Sequence, residues 1–164
     1  MPFRRSGRQA FLAISVALVL SVVACKRGEP VPDGDVAASL TMPSLGAYKF
    51  DPASLKGKPS LVMFVTPTCP HCLVTLPRGM AAAKAQGANL VAVFVAGGTQ
   101  NAEGVVSHLK FDGTALVDDG TLRKKYNIRG VPYSLVLGPD GRARDAFRGE
   151  QDESTFRDAL SDAK

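Results

Sequence analysis

The sequence predicts an α/β domain in which a central mixed β-sheet is flanked by helices. Two observations carry this. From Ser60 onward, short apolar runs rich in β-branched residues alternate with longer helical segments, the pattern of a parallel sheet core. Near the end, strand signals at Tyr133 to Leu137 and Arg142 to Phe147 flank Gly138-Pro139-Asp140-Gly141, a turn that adds an antiparallel edge.

The elements follow in order. Leu40 to Met42 and Ala47 to Phe50 read as a short N-terminal β-hairpin around Pro43-Ser44-Leu45-Gly46. Pro52 to Lys56 is a single helical turn ending at Gly57. Ser60 to Val65 is apolar at nearly every position, as a strand covered on both faces must be. Pro70 to Gln86 is a helix, with proline in its first turn and Gly87 as its stop. Asn89 to Ala96 is a second buried strand, Asn101 to Lys110 a weaker helix and Thr114 to Val117 a short strand. Gly120 to Tyr126 is a short helix, and Asp152 to Asp162 closes the chain as a helix capped by Gln151 or Asp152.

The first residues are read separately. Arg4, Arg5 and Arg8 precede an uncharged stretch from Ala10 to Ala24, shorter than the roughly 20 residues a spanning helix needs. That is the layout of a secretory signal peptide. The stretch ends Val22-Val23-Ala24-Cys25 and resembles the bacterial lipoprotein box. The resemblance implies cleavage after residue 24 and acylation of Cys25, which anchors the mature protein to a membrane of the cell envelope. Lys26 to Ser39, rich in Pro, Gly and charge, reads as a flexible tether. The expected organisation is signal peptide at 1–24, tether at 25–39 and one domain at 40–164.

The precursor's net charge of +5 includes those three leader arginines, so the mature chain is closer to neutral. Nothing here points to nucleic acid. The chain has three cysteines. With Cys25 carrying lipid, Cys69 and Cys72 remain, and a framework of structural disulfides is excluded by count.

Those two belong to Cys69-Pro70-His71-Cys72, directly after the buried strand and at the start of a helix. A helix N-terminus favours the reactive thiolate, and two cysteines one turn apart can attack a partner's disulfide in sequence or close one themselves. A metal-ligand pair is the alternative. Structural zinc needs about four ligands, and His71 and His108 are the only histidines. A purely structural disulfide would close too short a loop to stabilise much.

The chain resembles the thioredoxin superfamily, and within it the membrane-anchored TlpA/ResA-type thiol–disulfide oxidoreductases. The resemblance covers about Leu40 to Lys164. It rests on Asp51-Pro-Ala-Ser-Leu-Lys-Gly-Lys-Pro59 before the strand, on the Cys-Pro-His-Cys motif, on Pro77 within the following helix, and on Tyr126-Asn-Ile-Arg-Gly-Val-Pro132 before the next strand. It implies a thioredoxin-like fold and thiol–disulfide exchange, with Cys69 as nucleophile and Cys72 as resolving thiol. Pro70 and His71 would tune the site; an imidazolium at His71 would stabilise the Cys69 thiolate and make the couple more oxidising. The same Cys-Pro-His-Cys occurs in the DsbA family. Pro132 would follow a cis bond and set the Val131 backbone beside the dithiol, where an extended substrate could pair with it. The residues alone leave open a trans proline starting an edge strand.

Departures matter too. Thioredoxin-type reductases carry a carboxylate where this chain has Met63, and ResA-type members where it has Thr75; neither side chain can act as a base. The tryptophan usual before the dithiol is Thr68 here. These gaps leave the direction of electron flow open and lean toward an oxidising or slow couple. Thr66-Pro-Thr-Cys69 also raises a peroxiredoxin-like thiol peroxidase, although that motif's proline is Val62 here. A non-catalytic redoxin-like binding module is the third class. His108, Arg123-Lys124-Lys125, Asp118-Asp119-Gly120 and Gly97-Gly98 read as helix surface, solvated face, helix start and loop. The expected protein is a monomer without metal or other cofactor. Its partners are protein thiols and disulfides and a membrane electron donor or acceptor, met on the periplasmic or outer side.

Overall fold

The computed structural model describes residues 29–46 and 49–164; the leader, Cys25 and Lys26 to Gly28 lie outside them. Strand β1 (Ser60–Val65) is buried at every position, because both of its faces are covered. Leu61, Met63 and Val65 point to one side, where helix α1 (Pro70–Gln86) and helix α4 (Glu153–Asp162) supply Cys72, Leu76, Phe156 and Leu160. Val62 and Phe64 point to the other, against Val36, Leu40, Leu55 and Leu122.

Strands β2 (Asn89–Phe94), β3 (Thr114–Val117), β4 (Tyr133–Leu137) and β5 (Ala143–Arg148) complete the sheet, whose order is β3-β2-β1-β4-β5. β1, β2 and β3 run parallel, while β4 is antiparallel to β1 and β5 to β4. This is the mixed sheet with flanking helices that the sequence predicts. Chain direction reverses between β1 and β4, and the C-terminal end of β1 there feeds α1. Open α/β sheets place their functional groups at such a switch point. Helix α2 (Thr99–His108) links β2 to β3, and helix α3 (Thr121–Lys125) links β3 to β4.

Helix α1 has readable ends. Pro70 occupies its first turn, where a missing N–H costs nothing. At its other end Gly87 takes φ 62° and returns its N–H to the carbonyls of Ala83 and Lys84. Gly79 lets this helix lie close to the sheet: a Cβ there would sit 2.4 Å from Met63 Sδ.

Among the described residues the expected N-terminal hairpin is not formed. Leu40 to Met42 carry no strand; Ala47 and Tyr48 lie outside the described residues. Leu40 is instead fully buried beneath the 3-10 turn Ala37–Ser39, and Pro43 and Ser44 attach to the edge strand β3, through Val117 N–H to Pro43 O at 3.0 Å and a Ser44–Leu116 bridge. A neighbouring strand offered these residues more pairing than two short segments offer one another. The tether segment also reaches the domain. Val36 and Ala37 are fully buried, and their N–H groups both donate to Gly141 O, at 3.0 and 3.1 Å. Asp35 pairs with Lys56 at 2.9 Å.

Candidate active site

The chain leaves β1 through Thr66-Pro67-Thr68 and starts α1 with Cys69 as its N-cap. Cys69 is half-buried, and Cys72, one turn on, is fully buried; both are free thiols. The backbone turns tightly here. Cys69 N–H donates to Thr66 O at 3.3 Å, and the N–H groups of Cys72 and Leu73 reach Cys69 O at 3.0 and 3.2 Å.

The Cys69 sulfur therefore sits where helix-start donors point. Cys72 N–H donates to it at 3.2 Å. On its other side the Sγ–H faces Val131 O at 3.8 Å. The Val131–Pro132 bond is cis, the isomer that the resemblance implies. The fold thus brings Cys69, Cys72, Pro70, Val131 and Pro132 to one end of the sheet; Cys25 lies outside the described residues.

Cys72 is a different thiol from Cys69. Burial pushes it up to about 12, and its hydrogen bond with Cys69 adds to the effect. Among the described residues the buried polar or charged side chains are Ser60, Thr75, Asp118 and Ser134. Asp118, the one carboxylate, is used at the far edge, where its oxygens accept from Leu122 and Arg123 N–H at 3.1 and 3.2 Å. Thr75 gives its hydroxyl proton to His71 O at 2.8 Å. Met63 is fully buried and apolar. Cys72 has no buried carboxylate beside it.

His71 projects outward and meets Glu150, which sequence reasoning missed. Glu150 lies 79 residues away, and no spacing rule could connect them. Arg78 was also missed, although its register was readable: residues 71, 75 and 78 share one face of a helix. Outside this site His108 is exposed on α2, and Arg123, Lys124 and Lys125 are exposed on α3.

A family model described as a thioredoxin-like domain matches residues 48–164. The chain belongs to the thioredoxin-like family. The soluble secreted antigen MPT53 of Mycobacterium tuberculosis is 30% identical over 135 residues, 79% of this chain and 76% of the relative. The methylamine utilization protein MauD of Methylobacillus flagellatus is 32% identical over 85 residues, and the match spans 52% of this chain and 41% of MauD. Among solved structures, a secreted Mycobacterium tuberculosis disulfide oxidoreductase homologous to Escherichia coli DsbE superposes with a TM-score of 0.68 at 26% identity. That match covers 79% of this chain and 99% of the other. In this thioredoxin-like domain, a half-exposed thiol capping a helix and a buried thiol one turn behind it can form a disulfide or open one. Among the described residues no helix is long and apolar enough to cross a membrane.

Proposed function

We propose that this protein exchanges disulfides with protein substrates in the bacterial cell envelope, held to a membrane by lipid on Cys25. The observation that carries the reading is the asymmetry of the dithiol. Cys69 is accessible, caps α1 and lies beside Val131 O, whereas Cys72 is sealed and protonated. The related secreted disulfide oxidoreductase supports it. Leu73 and Val74, exposed beside the motif, offer an apolar surface that suits a polypeptide client.

In the forward exchange, a substrate thiolate attacks Cys69 Sγ of the Cys69–Cys72 disulfide. A substrate–Cys69 bond forms, the Cys69–Cys72 bond breaks, and Cys72 leaves with the electron pair and takes up a proton. A second substrate thiolate then attacks the substrate sulfur. The substrate disulfide closes, and Cys69 leaves as thiolate at the helix start. Net, the client dithiol is oxidised and the protein's disulfide reduced.

Run backward, Cys72 must lose its proton to attack, and a thiol at about 12 with no carboxylate beside it does so slowly. As a leaving group the same thiol is poor in the forward step, so the direction is set by the potential of the couple, which an imidazolium at His71 would make more oxidising. The test is trapping. In protein produced from its full chain, Cys72→Ser should accumulate a mixed disulfide on Cys69 with a disulfide-bonded client, whose other sulfur leaves as thiolate, and Cys69→Ser should not. Equal trapping by both variants would sink the assignment.

A further inference from the structure

His71 and Arg78 lie two turns apart on one face of α1, and Glu150 stands between them. Glu150 Oε1 meets His71 Nδ1, and Oε2 lies 3.5 Å from Arg78 Nη1. Arg78 also pairs with Asp152 at 3.5 Å and donates to Gln151 O at 3.2 Å. Glu150 follows Gly149, whose N–H donates to Pro132 O at 2.8 Å. The loop between β5 and α4 is thus tied to both halves of the site: to the cis-proline through Gly149 and to the dithiol helix through Glu150.

We propose that Glu150 is a positioning residue that holds His71 in its charged form beside Cys69 and thereby makes the couple more oxidising. This rests on the exchange reaction proposed above. A carboxylate facing Nδ1 makes that nitrogen a donor and favours positive charge on the ring. Arg78 is shared between Glu150 and Asp152, so the cluster is neutral when the ring is charged, and His71 is its member nearest Cys69 in sequence. The ring's charge stabilises a thiolate at Cys69, and with it the reduced form. The charged or titratable groups around His71 are Arg78 and the two thiols on α1, and Glu150 and Asp152 on the facing loop. His71 is 70% exposed and Glu150 36%. Solvent screening keeps such a pair weak, so the effect is modest.

The sign tells this role from a simpler one. Were Glu150 only a negative charge near Cys69, its removal would make the couple more oxidising. If it holds the imidazolium, removal makes the couple more reducing.

The experiment equilibrates the full-chain protein with reduced and oxidised glutathione. If the unsubstituted protein shows no reversible two-electron couple, the exchange reading itself falls, and this inference with it. Given a couple, Glu150→Gln should make oxidation of the dithiol three- to tenfold more favourable, tenfold being about 30 mV. Nitrogen NMR of His71 should show the ring losing its proton more readily in Glu150→Gln than in the unsubstituted protein. The double variant His71→Ala/Glu150→Gln should match His71→Ala alone. An unchanged equilibrium, a shift of opposite sign, or additive effects in the double variant would overturn the proposal. So would an equal loss of stability in the oxidised and reduced forms without a shift of the equilibrium.

Discussion

Val131 O stands 3.8 Å from Cys69 Sγ, while Cys72 is closed off from solvent altogether. The two thiols should therefore respond very differently to an alkylating reagent. With burial holding Cys72 near 12, its thiolate fraction at pH 8 is about one in ten thousand. In the native reduced protein, iodoacetamide at pH 8 should label Cys69 and spare Cys72; in urea it should label both. Mass spectrometry of the peptides reads the ratio. Comparable native labelling of Cys72 would contradict the buried, protonated state.

The same burial makes stability depend on pH. Cys72 titrates near 12 when folded against a usual 9.0. Between those values the unfolded chain releases this proton and the folded chain keeps it. The unfolded state therefore binds fewer protons, and stability falls as pH rises from about 9 toward 12. Below about 9 this contribution is fully present. In Cys69→Ser, where Cys72 is the remaining thiol of the motif, the urea midpoint should drop between pH 9 and 11 relative to Cys69→Ser/Cys72→Ala. Parallel curves for the two variants would show that Cys72 is not held protonated by the fold.

Met63 and Thr75 leave Cys72 without a base, and the direction proposed above has a direct measure. The Cys69–Cys72 couple is expected to be more oxidising than thioredoxin's, about −270 mV. A value at or below that figure would rule out disulfide donation as the favoured direction.

How much of this was readable follows from what each feature depends on. β1 and α1 were legible because local rules decide them: an apolar run of strand length, then proline at a helix start and glycine at its end. The helix start at Asp118-Asp119-Gly120 was legible for the same reason, with α3 beginning at Thr121. The N-terminal hairpin misled because Leu40 answered to the core under β1 and Ser44 to the edge of β3, both distant in sequence. The nearness of Val131 to Cys69 came through family resemblance; spacing alone says nothing about residues 62 apart. Glu150 was invisible to either route, because its position depends on how the β5–α4 loop lies across α1.

Ser134 bears on the missing base. It is the cross-strand neighbour of Met63 on β1 and of Phe147 on β5. Its hydroxyl is buried and has no hydrogen-bond partner among the described residues. Alternation along β4 puts it on the same side as Val136, toward the core that holds Cys72 and Phe156. A buried hydroxyl without a partner costs stability, so Ser134→Ala should raise it by about 1 kcal/mol, with the small lost volume offsetting part of the gain. Urea unfolding of the reduced protein measures this. If the hydroxyl is only a tolerated polar group, the variant is more stable and releases mixed disulfides at the unchanged rate. If it serves Cys72 as a proton carrier in place of the absent carboxylate, release slows while stability still rises. With no partner fixing the hydroxyl, the first outcome is expected, and a slowed release would assign Ser134 to the exchange chemistry.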